Sequence, residues 1–347
     1  MRIQLLCFLF ATLLVDSCGN EDPTTFFDIQ LEGKKKQLQN GEAVGVAIKN
    51  KKEKEIKAVT YYLEGNELPV SNGKIVIASP TLGSKKLLAR VAYEDTEITI
   101  EQPIRILAKN APEVYTYKIV NSYPHDKKSF TQGLEFRGDT LYESTGNPGN
   151  VAKSVLRKLN YKTGEVYEEV ALDPSVFGEG LTLFKDRLLQ LTWRSGIGYV
   201  YAPETLEKVG SFNYGQSKEG WGLCNDGTHI FKSDGTEKIW KLNPETLAEE
   251  GYIETVTNRS IFNKANELEF ANGKIYANVW QKESMMIIDP NSGAIEGVIN
   301  FGGLRDRVEQ HADLDVLNGV AYHQERGSFF VTRKFWDTLF EVTLEKK

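Results

Sequence analysis

One hairpin pattern recurs five times in this chain, and it leaves few architectures open. It reads FTQGLEFRGDTLYEST over residues 130–145, then FGEGLTLFKDRLLQLTW from Phe177, GWGLCNDGTHIFKSD from Gly220, ANELEFANGKIYANVW from Ala265 and LNGVAYHQERGSFFVTRKFW from Leu317. Each copy is two short alternating strands around a tight polar turn. Aligning the copies puts Gln132, Glu179, Trp221, Asn266 and Asn318 at one equivalent position, 47, 42, 45 and 52 residues apart. Hairpins at that period, with no helical pattern between them, predict the blades of a β-propeller.

A second element keeps step with the first. NYKTG from Asn160, APET from Ala202, NPET from Asn243 and DPNSG from Asp289 each follow one strand and precede another, with the residues that tight turns favour. Each repeat is therefore a four-stranded meander, an inner hairpin followed by an outer one. The fifth inner hairpin is followed by one strand only, residues 338–344, while residues 114–122 form an orphan strand ahead of the first hairpin. Pairing the orphan with the last strand completes the fifth blade and removes exposed edges. The expected fold is all-β, a five-bladed β-propeller over residues 112–347.

Ahead of it, residues 25–108 alternate in runs such as AVGVAI, KAVTYYL and LLARVAY, separated by turn signals such as Ser71-Asn72-Gly73. Six or seven short strands in that length predict a small immunoglobulin-like β-sandwich acting as a spacer, with the break at Lys109-Asn110-Ala111-Pro112. Residues 1–18 read as an address rather than structure: Arg2 precedes an apolar run over residues 5–15 that is too short to span a bilayer. Val15-Asp16-Ser17-Cys18 is similar to the lipobox of bacterial lipoproteins, whose cysteine becomes the lipidated N-terminus. The expectation is an exported lipoprotein of the bacterial cell envelope, in periplasm or on the outer-membrane surface, touching the membrane through Cys18 alone. An ordinary secretory signal cut near Gly19 is the alternative. With Cys7 in the apolar run and Cys18 at the cleavage site, Cys224 has no disulfide partner and reads as a small core residue.

A net charge of -6 with scattered lysines provides no basic field for a phosphate backbone, so nucleic acid is excluded as a partner. A propeller brings one strand of each blade to a central channel, which puts the five aligned residues in a ring near one mouth. One carboxylate, three carboxamides and an indole form a polar mixture that core packing does not select. Trp193, Trp280 and the Lys334, Trp336 pair fall where the second strands run out, and with Trp221 they suggest an aromatic slot for a small ligand. Trp240 reads as core. His125, His229, His311 and His323 show no zinc-ligand spacing, and no Ser-His-Asp set, HExxH, CxxC or phosphate loop is present. His125 reads as a loop-holding residue. A glutamate buried among aromatics is a candidate proton shuttle, because desolvation raises a carboxyl pKa toward neutrality.

The motifs YPHDKKSFTQGLEF, ESTG, VFGEGLT, LTW, EGWGL, SDGT, ANELE, NVW, VLNGVAY and RKFWDTLFEV, in a match that runs in order from about Tyr117 to Val342, resemble the glutamine cyclotransferase family, the plant-type and bacterial glutaminyl-peptide cyclotransferases. The resemblance implies a five-bladed propeller and an aminoacyltransferase that converts an N-terminal glutamine of a peptide or protein to pyroglutamate with release of ammonia. By motif it implies Glu179 as the catalytic group. As substrate-binding residues it implies Phe130, Gln132, Phe177, Trp193, Trp221, Asn266, Trp280 and Lys334. It implies no required cofactor, with room for a structural divalent cation in the central channel. The expected state is a monomer. Two rival readings stand beside it: a non-catalytic surface propeller using its tryptophans to bind a glycan or protein partner, and a metal-dependent lactonase or lyase, which would need several carboxylates or histidines at the ring.

Overall fold

The computed structural model of the protein describes residues 21–150 and 152–347, so the signal-peptide and Cys18 readings lie outside the described residues. Among those residues the chain is all-β, interrupted only by 3-10 turns such as Pro23–Phe26 and Leu304–Arg307. No helix among them is long and apolar enough to cross a membrane.

The N-terminal strands form two sheets. Phe27–Leu31, Glu42–Asn50 and Lys74–Ile77 make one; Gln37–Gln39, Thr96–Leu107, Gly83–Tyr93, Ile56–Leu63 and Asn66–Leu68, in that spatial order, make the other. Their facing side chains, Leu38, Ile75, Leu87, Val91 and Ile106 among them, form one buried cluster. The strict alternation in Phe27–Leu31, buried at Phe27, Ile29 and Leu31 and exposed between, is what a sheet with one wet face requires. Two strands exceed the expected runs, Gln37–Gln39 and Asn66–Leu68. Three-residue edge strands carry too few alternations to register as a period of two.

The rest of the chain is a series of antiparallel meanders. Thr131–Arg137, Thr140–Thr145, Val155–Asn160 and Val166–Ala171 form the first sheet, and two further four-stranded sheets begin at Gly178–Phe184 and Leu223–Asn225. The last sheet has eight strands. It joins the meander that starts at Ala265–Ala271 to a second group, Leu317–His323, Ser328–Arg333, Thr338–Lys346 and the early strand Glu113–Pro124. The join is a short parallel pairing of Gly297, Val298 and Ile299 with Glu113, Val114 and Tyr115. Glu113–Pro124 runs antiparallel to Thr338–Lys346 along nearly its whole length, so the expected first-to-last pairing is present. The first strands of successive meanders touch one another in order, and Leu317–His323 returns to touch Thr131–Arg137.

Close approach of those first strands explains the glycines that follow the aligned residues. A Cβ at Gly133 would stand 2.7 Å from the Leu181 amide nitrogen, one at Gly180 2.6 Å from the Trp221 carbonyl oxygen, and one at Gly222 2.1 Å from the Asn266 carbonyl oxygen. No side chain fits there. In four of the five copies the register also slips at this point, between Thr131 and Gly133, Gly178 and Leu181, Ala265 and Leu268, and Leu317 and Val320. Bulges re-aim side chains out of the ladder, and here they do so at each aligned residue of those copies.

The N-terminal sheets dock on the third and fourth meanders. Glu254 accepts hydrogen bonds from Ser84 N and Oγ at 3.1 and 3.3 Å, Ala108 N donates to Thr257 O, and Val256 is buried within the N-terminal apolar cluster.

Candidate active site

The bulged ends of the first strands deliver their side chains to one cavity of about 330 Å³. Phe130, Gln132, Phe177, Glu179, Trp193, Trp221, Asn266, Trp280 and Lys334 all line it. These nine come from all five hairpin copies, more than 200 residues apart at the extremes, and the mutual contact of the first strands brings them together.

Aromatic rings make most of the wall. Phe177 packs edge-on against Phe130 at 6.0 Å and against Trp193 at 5.5 Å, and Trp221 meets Trp280 edge-to-face at 5.8 Å. Lys264 lies over the Trp280 ring at 5.0 Å. Trp193, Trp221 and Trp280 are each half-buried. Such a slot takes a small, flat or folded organic group and excludes bulk water.

Glu179 and Lys334 are the buried charged groups of the lining, at 5% exposure each. Burial pushes the Glu179 carboxyl well above the usual carboxylate range, the Lys334 charge pulls it partly back, and Glu219 adds to the rise. Burial likewise lowers the Lys334 ammonium, against the opposing pull of Glu179 and Asp315. Both shifts favour neutral forms, which is the expected consequence of desolvation outweighing a pair attraction. Lys334 Nζ rests 4.4 Å over the Phe130 ring. Gln132 Nε2 makes a long 3.5 Å contact to Glu179 Oε1, while Gln132 Oε1 accepts from Asn318 Nδ2 at 2.6 Å. Asn318 thereby fixes which end of the Gln132 carboxamide faces Glu179. A carboxyl raised by burial, with the Gln132 amide donor and the Lys334 amine beside it, can take up and return a proton.

Comparison with known proteins decides the family. The family model described as "Glutamine cyclotransferase" matches residues 87–344. This chain belongs to the glutamine cyclotransferase family. It is 38% identical over 233 residues to the glutaminyl-peptide cyclotransferase of Arabidopsis thaliana, covering 66% of this chain and 71% of that protein. It is also similar to the crystal structure of Myxococcus xanthus glutaminyl cyclase, with a TM-score of 0.63 and 33% identity, over 68% of this chain and 99% of that one. The match to the family model opens inside strand Gly83–Tyr93, earlier than the motifs do, so it reaches into the N-terminal sheets.

The structure corrects some sequence expectations. Trp336 does not join the aromatic slot: it is fully buried, packed at 5.9 Å from Phe340 in the apolar cluster behind the wall. Two residues after Lys334, across a turn with Phe335 at φ 64°, the chain has reversed direction, and Phe335 instead packs on Phe130 at 5.2 Å. Asn318 belongs to the ring yet stands behind Gln132, outside the cavity lining. Trp240 is core, Cys224 is buried with its thiol pushed well up by burial, and His125 holds its loop through Trp336 O at 2.9 Å.

Several residues escaped the sequence reading. Pro148, Gln281, Asp315 and Val316 also line the cavity, all from loops outside the repeated hairpins. Glu219 lies behind the tryptophans, visible beforehand only as the first letter of EGWGL. Glu267 occupies the place that Gly133, Gly180, Gly222 and Gly319 hold in the other copies; it is buried, and its carboxylate accepts from the amides of Leu134 at 3.3 Å and Val320 at 3.0 Å. The alignment contained that signal as the one carboxylate among four glycines. Burial pushes Glu267 well up, as it does Glu269, and takes Glu135 to about 7. Among the described residues no group of three or more His, Cys, Asp and Glu side chains is arranged to hold a metal ion.

Proposed function

We propose that this chain is a glutaminyl-peptide cyclotransferase, acting on peptides or proteins with an N-terminal glutamine, and that Glu179 carries the proton. The observation that supports it is the convergence of nine residues from five meanders on one aromatic cavity around a buried glutamate. The substrate's neutral α-amine attacks its own γ-carboxamide carbon. The new N–C bond closes a five-membered ring, the old C–N bond breaks, and ammonia leaves. A proton must pass from the attacking to the departing nitrogen, and Glu179 takes it from one and gives it to the other. The α-amine's reference pKa of about 7.7 makes the neutral form accessible near pH 7. Because the attack is intramolecular, the slot needs only to fold the side chain back. Gln132, Asn266 and Lys334 orient the carboxamide and stabilise the developing oxyanion.

The fold reading that accompanies it is a five-bladed propeller over residues 112–347 carrying the site, with an immunoglobulin-like sandwich over residues 25–108 as a spacer. Cyclic contact of the first strands supports the former, and two facing sheets around one core support the latter. The chain acts as a monomer and needs no metal for turnover. Ammonia release from a short glutamine-led peptide, measured with and without a chelator, tests the cyclotransferase and metal-free readings. Release that ignores the chelator is expected; release that stops with the chelator removes the metal-free reading, and no release from a well-folded protein transfers the site to a glycan- or protein-binding role.

Lipidation at Cys18 is proposed to tether the propeller to the cell envelope, on the strength of the sequence pattern at residues 15–18. A Cys18→Ala variant is expected to move from the membrane to the soluble fraction without detergent. An unchanged distribution would remove the anchor.

A further inference from the structure

Behind the slot, one carboxylate joins two of its three tryptophans. Glu219 Oε2 accepts from Trp193 Nε1 at 2.7 Å and from Trp221 Nε1 at 2.9 Å, and Glu219 Oε1 accepts from Arg194 Nε at 2.9 Å. The Arg194 guanidinium in turn stacks 3.7 Å over the Trp193 ring. The two indoles come from different meanders, Trp193 from the end of Arg187–Thr192 and Trp221 from just ahead of Leu223–Asn225. Their backbones are joined where Gly220 N donates to Trp193 O at 3.0 Å, but that bond leaves each indole free to rotate about its own side-chain bonds. A shared acceptor oxygen removes that freedom, because both N–H vectors must converge on one point. Glu219 is itself held in place, since the fully buried Lys232 ammonium donates to its backbone carbonyl at 2.9 Å.

We infer that Glu219 is the positioning residue of the aromatic slot, fixing Trp193 and Trp221 at the spacing that folds the substrate glutamine back on itself and keeping one negative charge on the carboxylate that joins them. The inference rests on the cyclotransferase reading of the cavity. Its first consequence concerns geometry: a slot whose walls rotate holds fewer near-attack conformers, so turnover suffers along with binding. Its second concerns charge. The charged groups acting on Glu179 are Lys334, which draws its carboxyl down, and Glu219, which pushes it up beyond what burial does; the groups facing Glu219 are Arg194 and the buried tryptophan N–H pair. Hydrogen bonds from Trp221, Arg194 and Trp193 outweigh the opposing effect of burial and keep Glu219 below the usual range, so it stays an anion through the working pH range.

Three enzymes distinguish the roles: wild type, Glu219→Ala and Glu219→Gln, each assayed for ammonia release from a glutamine-led peptide across pH. Glu219→Ala is expected to lose roughly 10- to 100-fold in kcat/KM, the scale of one charge-assisted hydrogen bond, with a change in tryptophan emission. Glu219→Gln keeps a neutral acceptor oxygen and is expected to recover most of that loss. It is also expected to move the ascending limb of the kcat profile to lower pH, because the charge that raised Glu179 is gone. A merely structural role would leave that limb in place. Unchanged kcat/KM in Glu219→Ala, or a limb that does not move in Glu219→Gln, would overturn the inference. An inactive wild type would instead overturn the cyclotransferase reading on which it rests.

Discussion

Replacing Glu179 by glutamine is expected to cut the rate of ammonia release by ~10²–10⁴-fold while the protein stays folded. The substitution is isosteric, so the aromatic wall and the Gln132 contact remain available, but a carboxamide cannot accept a proton from the attacking amine. Stability moves in the opposite direction to activity. Burial raises the Glu179 carboxyl in the folded state, so its favourable contribution is complete below the ordinary value of 4.5 and is lost as pH rises through the folded value. At neutral pH the wild type carries that loss and the glutamine variant does not. Thermal unfolding of the two proteins at pH 5 and pH 8 is therefore expected to show the variant gaining on the wild type at the higher pH. Activity within tenfold of wild type would take the proton-shuttle role away from Glu179.

How much of this was readable in advance depends on whether the information was periodic. The meanders and the ring of Gln132, Glu179, Trp221 and Asn266 recur every 42 to 47 residues, so a single chain contains several independent statements of the same element, and the pairing of Glu113–Pro124 with the last strand follows from the one strand the fifth copy lacks. Phe130 and Phe177 precede the aligned residue by two positions in two copies only, and it took a family resemblance to single them out. What stayed hidden was non-periodic. Pro148, Gln281 and Asp315 enter the cavity from connecting loops whose paths no alternation encodes. Trp336 sits two residues from Lys334, and whether it faces pocket or core turns on the left-handed backbone at Phe335, which the letters RKFW do not announce. Glu219 acts through contacts to side chains from two meanders, and such three-body geometry has no signature in spacing.

The largest expected effect on stability comes from a residue that never touches the cavity. Glu143 is fully buried, and its Oε1 accepts from Thr131 Oγ1 at 2.7 Å while standing 3.2 Å from His125 Nε2. Its Oε2 accepts from Arg157 Nε at 2.8 Å and Nη2 at 2.7 Å. His125 Nδ1 lies 2.9 Å from Trp336 O, and His125 N donates to Asp337 O, so the cluster ties the entry to the first hairpin to the turn that carries Lys334. Although burial pushes Glu143 up, the Arg157 and His125 charges and hydrogen bonds prevail and hold it far below the usual range; the same carboxylate raises His125 against its own burial. The two signs define a window. The Glu143 contribution is present above its ordinary 4.5 and lost as pH falls through its folded value, whereas the His125 contribution is complete below its ordinary 6.5 and lost as pH rises through its raised value. The network therefore stabilises most between those two ordinary values. Glu143→Gln leaves Arg157 buried without its main partner, which costs ~3–5 kcal/mol, or about 6–20 °C in Tm for a domain of this size. Denaturant titrations at pH 5.5 are expected to show that loss, and Glu143→Gln combined with Arg157→Met is expected to recover part of it, because the second change removes the stranded charge. A Glu143→Gln protein as stable as wild type at pH 5.5 would mean that solvent reaches the cluster and that its buried ion pairs hold nothing together.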